Sequence, residues 1–380
     1  MCSGAQLGTI VGLPLSYVIV ANKRPPGDAY TAWPFVFYWF GLAALAWYAA
    51  WCVLVASTPA QHAWISVREA AHIEATRDGG GGGKDGDGGG GKAGAGGNAI
   101  GGEKGGRPRP RPPWRALLTE PAMWAIYTMH FSSDWAFYVL LTGLPSYLNE
   151  PLGFNVHNSR NAVYAVLPYL AMFVCSNVGG RVADRLIARW AAAPGEQQQH
   201  GAEASLHAPE IEPLLPVAVA EADSRADADD ARQRSRQARA VVRVRRLFGA
   251  LASLLPALGL VLTGYTTTVH AAIVGMTLAV GVSGVRYSSY SSSVIDVAPV
   301  HADCAYSISN TFAAVPGVVG TLLSGLVISH AANQERAWRT IFWVAAAVYV
   351  AGCASYSWLV EGAPVPAVNR TAAYDDDDDE

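Results

Sequence analysis

The distribution of charged residues along the chain is the feature that most limits how it can fold. The stretches without Asp, Glu, Lys or Arg are residues 1–22, 29–67, 135–149, 161–180, 247–285, 304–334 and 340–360. A bilayer requires about 20 apolar residues per transmembrane helix, and most of these stretches reach that length. The chain of 380 residues is 15% charged, whereas a soluble domain averages about 25%. The pattern predicts an all-α polytopic membrane protein.

We predict about eight transmembrane helices, because the stretch 247–285 is long enough for two helices joined by the turn TGYTTTVH. The predicted spans are residues 1–20, 32–56, 121–148, 161–180, 247–266, 270–293, 306–329 and 338–360. The alternative is a large soluble protein with buried helices. That alternative is disfavoured because helices of soluble proteins usually run for only about 8 to 20 residues.

Basic residues predict the orientation of these helices in the membrane. Of the 27 Lys and Arg residues, nine lie within residues 57–120 and eleven within residues 181–246. Loops rich in Lys and Arg stay in the cytosol. Both loops and both chain ends are therefore expected on the cytosolic side, which an even number of spans also requires.

Composition divides the chain into four predicted parts and one insert. The parts are two helices in residues 1–56, a Gly/Pro/Arg-rich cytoplasmic linker at 57–120, a six-helix unit at 121–360 and an acidic cytoplasmic tail at 361–380. Residues 191–240 are polar with mixed charge, which predicts a disordered cytoplasmic insert within the six-helix unit. The five cysteines show neither metal nor disulfide spacing, so we expect no metal and no cofactor.

Several strings occur in an order typical of one transporter family. The strings are GAQLGTIVGLPLS from residue 4, HFSSDWAFYVLLTGLPSYL from 130, VLPYL from 166, GGRVADRL from 179, DVAPVHA from 296 and SNTFAAVPGVVG from 309. They resemble the sialin, vesicular glutamate transporter and sodium/phosphate cotransporter family of the major facilitator superfamily, which includes plant anion transporters. Members have twelve helices in two six-helix halves. This chain resembles helices 5 to 12, so we expect the first four to be lacking.

The resemblance implies a secondary active transporter of small organic or inorganic anions. The expected partners are an anionic substrate, a coupling ion (a proton or sodium) and the lipid bilayer, and we expect no nucleic acid. A P-loop that could power transport is absent from the sequence. A membrane enzyme is disfavoured because neither a His/Asp/Glu metal cluster nor a Ser/His pair has suitable spacing. A truncated, non-transporting half-permease or fragment remains the alternative.

The third predicted span carries a polar stripe. His130, Ser133, Asp134, Phe137 and Tyr138 lie at i, i+3, i+4, i+7 and i+8, which is one face of a helix. A polar face within the membrane turns toward protein or water. The resemblance places this span at helix 7 and implies that His130 and Tyr138 line a substrate cavity. Ser133 stands where vesicular glutamate transporters carry an arginine, which argues against that branch.

Arg286 is the only Arg or Lys between Leu247 and Asn333. Ser289, Tyr290 and Ser293 follow it at the spacing of one helix face. The resemblance places this span at helix 10, another cavity-lining helix. Arg286 has three interpretations: it snorkels to the cytosolic surface, it binds an anionic substrate through a bidentate contact, or it pairs with Asp134. We predict that it pairs with Asp134 in the empty carrier and that an entering anion competes for the guanidinium group.

Two further sets of residues match motifs of the family. Asn310 matches an asparagine of helix 11, where it either lines the cavity or bonds neighbouring helices. The string GGRVADR is similar to the superfamily motif G-x-x-x-D-R, which implies a cytoplasmic gate formed by Gly180, Asp184 and Arg185. In that setting Gly179 or Gly180 allows close helix packing. The alternative is a helix end with arginines that set the topology.

Overall fold

The computed structural model describes residues 3–23, 33–56, 61–62, 64–69, 72–73, 111–154, 164, 166–192 and 216–370. The main elements among these residues are helices. They are α1 (Ser3–Lys23), α2 (Pro34–Leu54), α3 (Trp114–Thr119), α4 (Pro121–Asn149), α5 (Leu167–Ala191), α6 (Pro216–Thr263), α7 (Val269–Ser283), a 3-10 helix (Gly284–Ser288), α8 (Tyr290–Val297), α9 (Ala302–Ser329), α10 (Gln334–Leu359) and α11 (Pro366–Asn369).

The chain forms two compact units. One consists of residues 1–18 and 110–380, and the other of residues 19–109. In the second unit, α2 has no buried residue, and its sequence is almost entirely apolar and aromatic. Residues 74–110 of the predicted linker at 57–120 and the end of the acidic tail beyond residue 370 lie outside the described residues. The other predicted part boundaries stay predictions.

Five helical segments are long and apolar enough to cross a membrane, judged by length and composition among the described residues. They are Pro34–Leu54, Ala228–Thr263, Val269–Val297, Ala302–Ser329 and Gln334–Leu359. Of the other three predicted spans, 1–20 and 121–148 agree with α1 and α4 to within a few residues, whereas 161–180 overlaps only the first part of α5. The helix α4 has 29 residues and α5 has 25, so both are long enough to cross a bilayer. The polar stripe of α4 and the Arg/Asp motif of α5 make these two helices less apolar than the other five.

The long helix α4 is the centre of the first unit. It packs against α9 on one side and α10 on the other, while α10 also packs against α6. The helix α5 packs against α6, α7 and the 3-10 helix, which completes the bundle. One core cluster forms around Tyr147, Trp338 and Phe342, whose rings meet with centroids 5.1 to 5.9 Å apart. A second cluster forms around Tyr127 and Tyr356.

The structure contradicts part of the predicted disordered insert. Residues 216–240 belong to α6, which continues without a break to Thr263. Ala, Arg, Gln and Glu are strong helix formers, and an Asp229–Arg232 ion pair at i, i+3 (3.3 Å) adds support. Polarity and mixed charge were therefore insufficient grounds for predicting disorder in this segment.

The sixth predicted span is interrupted rather than continuous. The segment from Gly284 to Ser288 is a 3-10 helix, and Ser289 leaves helical geometry with φ −107° and ψ −108°. A Cβ atom on Gly284 would lie 2.5 Å from the carbonyl oxygen of Met172, and one on Gly281 would lie 2.8 Å from Ala171 Cβ. The glycines therefore bring this segment against α5, and the interruption sets the direction of the residues that follow.

Candidate functional site

A cavity of about 260 Å³ lies inside the first unit, between α1, α4, α5, the 3-10 helix, α8 and α9. Its lining residues are mostly aromatic or polar, although the surrounding helices are apolar. They are Gln6, Thr9, His130, Asp134, Phe137, Tyr169, Met172, Arg286, Tyr287, Tyr290, Tyr306 and Asn310. A small set of polar groups in a mainly apolar and aromatic wall is typical of small-molecule sites.

Arg286 supplies the permanent charge of this cavity. Its side chain is 4% exposed, and its Nη1 atom lies 2.9 Å from Asp134 Oδ1. The predicted ion pair is therefore present. The guanidinium carbon also lies 5.3 Å from the ring centroid of Phe137 and 5.2 Å from that of Tyr287. Contacts of a cation with aromatic faces at this distance are stabilising, particularly when water is excluded.

The hydrogen-bonding capacity of Arg286 is only partly used. Its Nη2 atom donates to the Tyr287 hydroxyl at 3.4 Å. The contact between Nη1 and Asp134 lacks hydrogen-bond alignment, and neither Nε nor Nη1 has a hydrogen-bond partner among the described residues. Buried donors without partners are costly. Arg286 therefore lines the cavity with two nitrogen atoms that lack an aligned hydrogen-bond partner among the described residues.

Gln6 of α1 presents another such donor. It is 5% exposed and its Oε1 atom accepts a hydrogen bond from Ser176 Oγ at 3.0 Å. That contact fixes the amide group, while its Nε2 atom has no hydrogen-bond partner within the described part of the chain. Both Gln6 and Arg286 line the cavity, so the donors come from two different helical segments.

His130 connects the ion pair to α9. Its Nδ1 atom lies 2.8 Å from Ser309 Oγ, and its Nε2 atom lies 3.6 Å from Asp134 Oδ2. The imidazole ring stacks on Tyr290 with centroids 4.5 Å apart and planes 27° apart. These contacts hold the second imidazole nitrogen toward Asp134, at a distance slightly longer than a hydrogen bond.

The structure brings together four of the six predicted substrate or coupling residues. His130, Asp134, Arg286 and Asn310 line the cavity, and Ser133 and Tyr138 do not. The Ser133 side chain is fully buried in the bundle. The Tyr138 ring lies instead against Gly317 of α9, where a Cβ atom would meet it at 3.3 Å.

The lining residues that sequence reasoning missed are Gln6, Thr9, Tyr169, Met172, Tyr287 and Tyr306. Gln6 could have been predicted as a site residue, because it is an amide within a charge-free helix. Ser309, which contacts His130, could also have been predicted, since it precedes Asn310 in the quoted string SNTFAAVPGVVG. Tyr287 and Tyr306 could not be singled out, because aromatic residues in such helices are usually part of the packing.

A second buried arginine lies on the far side of the 3-10 helix. Arg245 of α6 donates from Nε to Asp296 Oδ2 at 2.8 Å and from Nη1 to the Ser288 carbonyl at 2.7 Å. The Ser289 hydroxyl donates to the Arg245 carbonyl at 3.1 Å. The interrupted helix frees backbone groups, and Arg245 satisfies one of them. It thereby holds the segment that carries Arg286.

The motif GGRVADR lies within α5 rather than in a loop. Gly179 makes the close approach, because a Cβ atom there would lie 3.1 Å from Val285 Cγ1, whereas a Cβ atom on Gly180 would meet nothing within 4 Å. Asp184 and Arg185 are exposed. Neither side chain forms an ion pair among the described residues, so their role as a gate stays a prediction.

Comparison with known proteins assigns the family. The Major Facilitator Superfamily matches residues 2–195. Human sialin is 29% identical over 361 residues, which cover 95% of this chain and 56% of sialin. A probable chloroplastic anion transporter of rice, number 4, is 25% identical over 96% of this chain and 46% of its own length. Human vesicular glutamate transporter 2 is also 25% identical, over 96% of this chain and 49% of its own length.

The chain thus spans about half the length of the curated relatives it matches. The match extends over nearly all of the chain, and it confirms the resemblance stated from the motifs. It also confirms an all-α, multi-pass membrane protein of a transporter family rather than an enzyme. The chain belongs to the Major Facilitator Superfamily, and within it the chain is similar to sialin, a vesicular glutamate transporter and a plant anion transporter.

Proposed function

We propose that this protein takes part in secondary active transport of small anions and that the cavity around Arg286 is the anion site. The observation that carries the proposal is a buried guanidinium group in a cavity, with two donor atoms that lack hydrogen-bond partners among the described residues. An arginine in that condition binds carboxylate or phosphate, because its planar fork matches two acceptor oxygens.

The lining of the cavity favours a small organic anion. The carboxylate or phosphate group would accept hydrogen bonds from Arg286 and from Gln6 Nε2, and the rest of the molecule would contact Tyr287, Tyr290 and Tyr306. A volume of about 260 Å³ lies just below the range of drug-sized ligand sites, about 300 to 1,000 Å³. The names of two relatives, an anion transporter and a glutamate transporter, support the same class of substrate.

Proton coupling follows from competition for one guanidinium group. The anion and the Asp134 carboxylate both compete for Arg286, so a proton on Asp134 weakens the ion pair and favours anion binding. His130 lies 3.6 Å from Asp134, and a small movement of either side chain would bring the two within hydrogen-bond distance for transfer of that proton. Sodium coupling is the alternative, in which a sodium gradient rather than a pH gradient drives uptake.

Uptake into proteoliposomes tests the proposal. A pH gradient, a sodium gradient and a membrane voltage are imposed separately, with labelled sialic acid, glutamate and phosphate as substrates. We expect one of these anions to accumulate under the pH gradient and Arg286→Gln to abolish that accumulation. Arg336→Gln, a change at an exposed position on α10, serves as the control. Failure of all three gradients to drive uptake of any of these anions contradicts the transport proposal.

The alternative is a chain that binds the anion without moving it, as a half-permease would. The chain spans about half the length of each of these relatives, so anion binding by this chain is tested separately from transport. Anion binding by the purified chain, measured by calorimetry, separates the two functions. Binding that depends on Arg286, together with absent uptake, supports the half-permease and leaves the assignment of the site intact.

A further inference from the structure

A second cleft, distinct from the cavity, lies where α6 and the end of α10 leave their charge-free stretches. It has a volume of about 420 Å³ and is lined by Ala238, Arg239, Val242, Arg243, Arg246, Val360, Glu361, Gly362 and Ala363. Arg246 directly precedes the charge-free stretch 247–285, and Glu361 directly follows the stretch 340–360. Both walls therefore enter the membrane at the same level, and the cleft lies at the boundary between membrane and water.

Three arginines outweigh Glu361 and give the cleft a net positive charge. Arg239, Arg243 and Arg246 are spaced by four and three residues, which places them on one face of α6. All three are exposed. In the part of the chain that the structure describes, none of them forms an ion pair, unlike Arg232 with Asp229 and Arg245 with Asp296.

The opposite wall is fixed in place. A Cβ atom on Gly362 would lie 2.5 Å from the Ala238 carbonyl oxygen, so the segment after α10 runs directly against α6. The segment is also held farther along, because Val365 N donates to the Val297 carbonyl at 3.0 Å and Asn369 Nδ2 donates to the same carbonyl at 2.8 Å. The cleft is thus built by packing and does not depend on the arginine side chains for its shape.

We propose that this cleft binds the headgroup of an anionic membrane lipid that carries phosphate monoesters. Arg246 follows Arg239 by seven positions, so all three arginines lie within about 10 Å of the membrane boundary, which is about one Debye length. Basic pockets between transmembrane helices on the cytosolic side are typical sites for such headgroups. Arginine suits phosphate because it donates two parallel hydrogen bonds. The proposal is independent of the transport function.

Lipid binding by the purified full chain tests this site. The probe is short-chain phosphatidylinositol 4,5-bisphosphate, and native mass spectrometry in detergent measures its dissociation constant. The triple variant Arg239→Gln, Arg243→Gln, Arg246→Gln removes the cleft charges. The control is Arg232→Gln, Arg234→Gln, Arg236→Gln, which removes the same charge farther out along α6. A second variant with Lys at 239, 243 and 246 retains the charge and removes bidentate donation.

We expect the Gln variant at 239, 243 and 246 to bind this lipid at least tenfold more weakly than wild type. The Gln variant at 232, 234 and 236 should stay within threefold of wild type, and the affinity of the Lys variant should lie between those of the two Gln variants. Phosphatidylserine should bind more weakly than the bisphosphate lipid to the wild type. Equal losses of lipid affinity in the two Gln triple variants would overturn the site, since the arginines of α6 would then bind polyanions without a defined pocket. Two other outcomes also overturn it: equally tight binding of soluble inositol trisphosphate, or lipid binding that appears only after the acidic residues 375–380 are neutralised.

Discussion

Arg245 and Arg286 are both buried, and both pair with an aspartate, but they differ in how their donors are used. Arg245 makes aligned hydrogen bonds to Asp296 and to a backbone carbonyl. Arg286 makes an unaligned contact with Asp134, faces a cavity, and keeps two nitrogen atoms without a hydrogen-bond partner among the described residues. A buried arginine whose donors are all hydrogen-bonded stabilises the fold, whereas one that keeps unpaired donors beside a cavity is available to bind an anion.

The two arginines also act on the same segment. Arg245 fixes the end of the 3-10 helix through Ser288, and Arg286 lies within that helix. The first arginine thus positions the second. Stability should depend mainly on Arg245 and ligand binding mainly on Arg286.

The largest loss of stability is expected for Arg245→Gln. The change leaves Asp296 and the Ser288 carbonyl without their donor, and breaking a buried ion pair by removing one partner costs about 3 to 5 kcal/mol. Equilibrium unfolding in mixed micelles measures this loss. Arg336→Gln, at an exposed position, should change stability by no more than about 0.5 kcal/mol. A similarly small effect of Arg245→Gln would remove its structural role.

A smaller loss of stability is expected when the Asp134–Arg286 pair is broken. Asp134→Asn and Arg286→Gln should each cost about 2 kcal/mol, because water in the cavity can hydrate the charge that remains. The exchange Asp134→Arg with Arg286→Asp should be more stable than either of its single changes, because it restores opposite charges. The same unfolding assay compares them. A double variant no better than the worse single one shows that the pair contributes nothing.

The smallest effect concerns the two glycines of the α5 motif. Gly179→Ala should lower stability by about 1 kcal/mol, since its Cβ atom would press on Val285 at 3.1 Å. Gly180→Ala has open space and should raise stability by up to about 1 kcal/mol, because alanine is the better helix former. Thermal unfolding of the two variants checks the opposite signs. Equal effects would mean that the close approach to the 3-10 helix is unimportant.

The sequence predicted the helices well because charge-free stretches reflect the solvent of the whole segment. The prediction of 121–148 agrees closely with α4 at Pro121–Asn149. It also paired Arg286 with Asp134, since a buried charge requires a nearby opposite charge. It missed the 3-10 interruption. That interruption depends on glycines packing against Met172 and Ala171 of another helix, which no local pattern reveals.

The site was predicted only in part, because helical periodicity places residues on a face but does not fix the width of a cavity. Ser133 and Tyr138 share the stripe with His130, yet they contact the bundle rather than the cavity. The string RVRR at residues 243–246 shows the same limit on α6. Arg245 turns inward to Asp296, whereas Arg243 and Arg246 line the cleft, and only tertiary packing distinguishes them.

The central claim is that Asp134 and an anion compete for Arg286. Isothermal calorimetry of the purified chain with glutamate, sialic acid and phosphate tests it most directly, comparing wild type, Asp134→Asn and Arg286→Gln after size exclusion has confirmed that each is folded. Competition predicts that Asp134→Asn binds the anion several-fold more tightly than wild type and that Arg286→Gln binds it at least about tenfold more weakly. Weaker binding in both variants would contradict competition, because Asp134 would then be helping to hold the anion rather than opposing it.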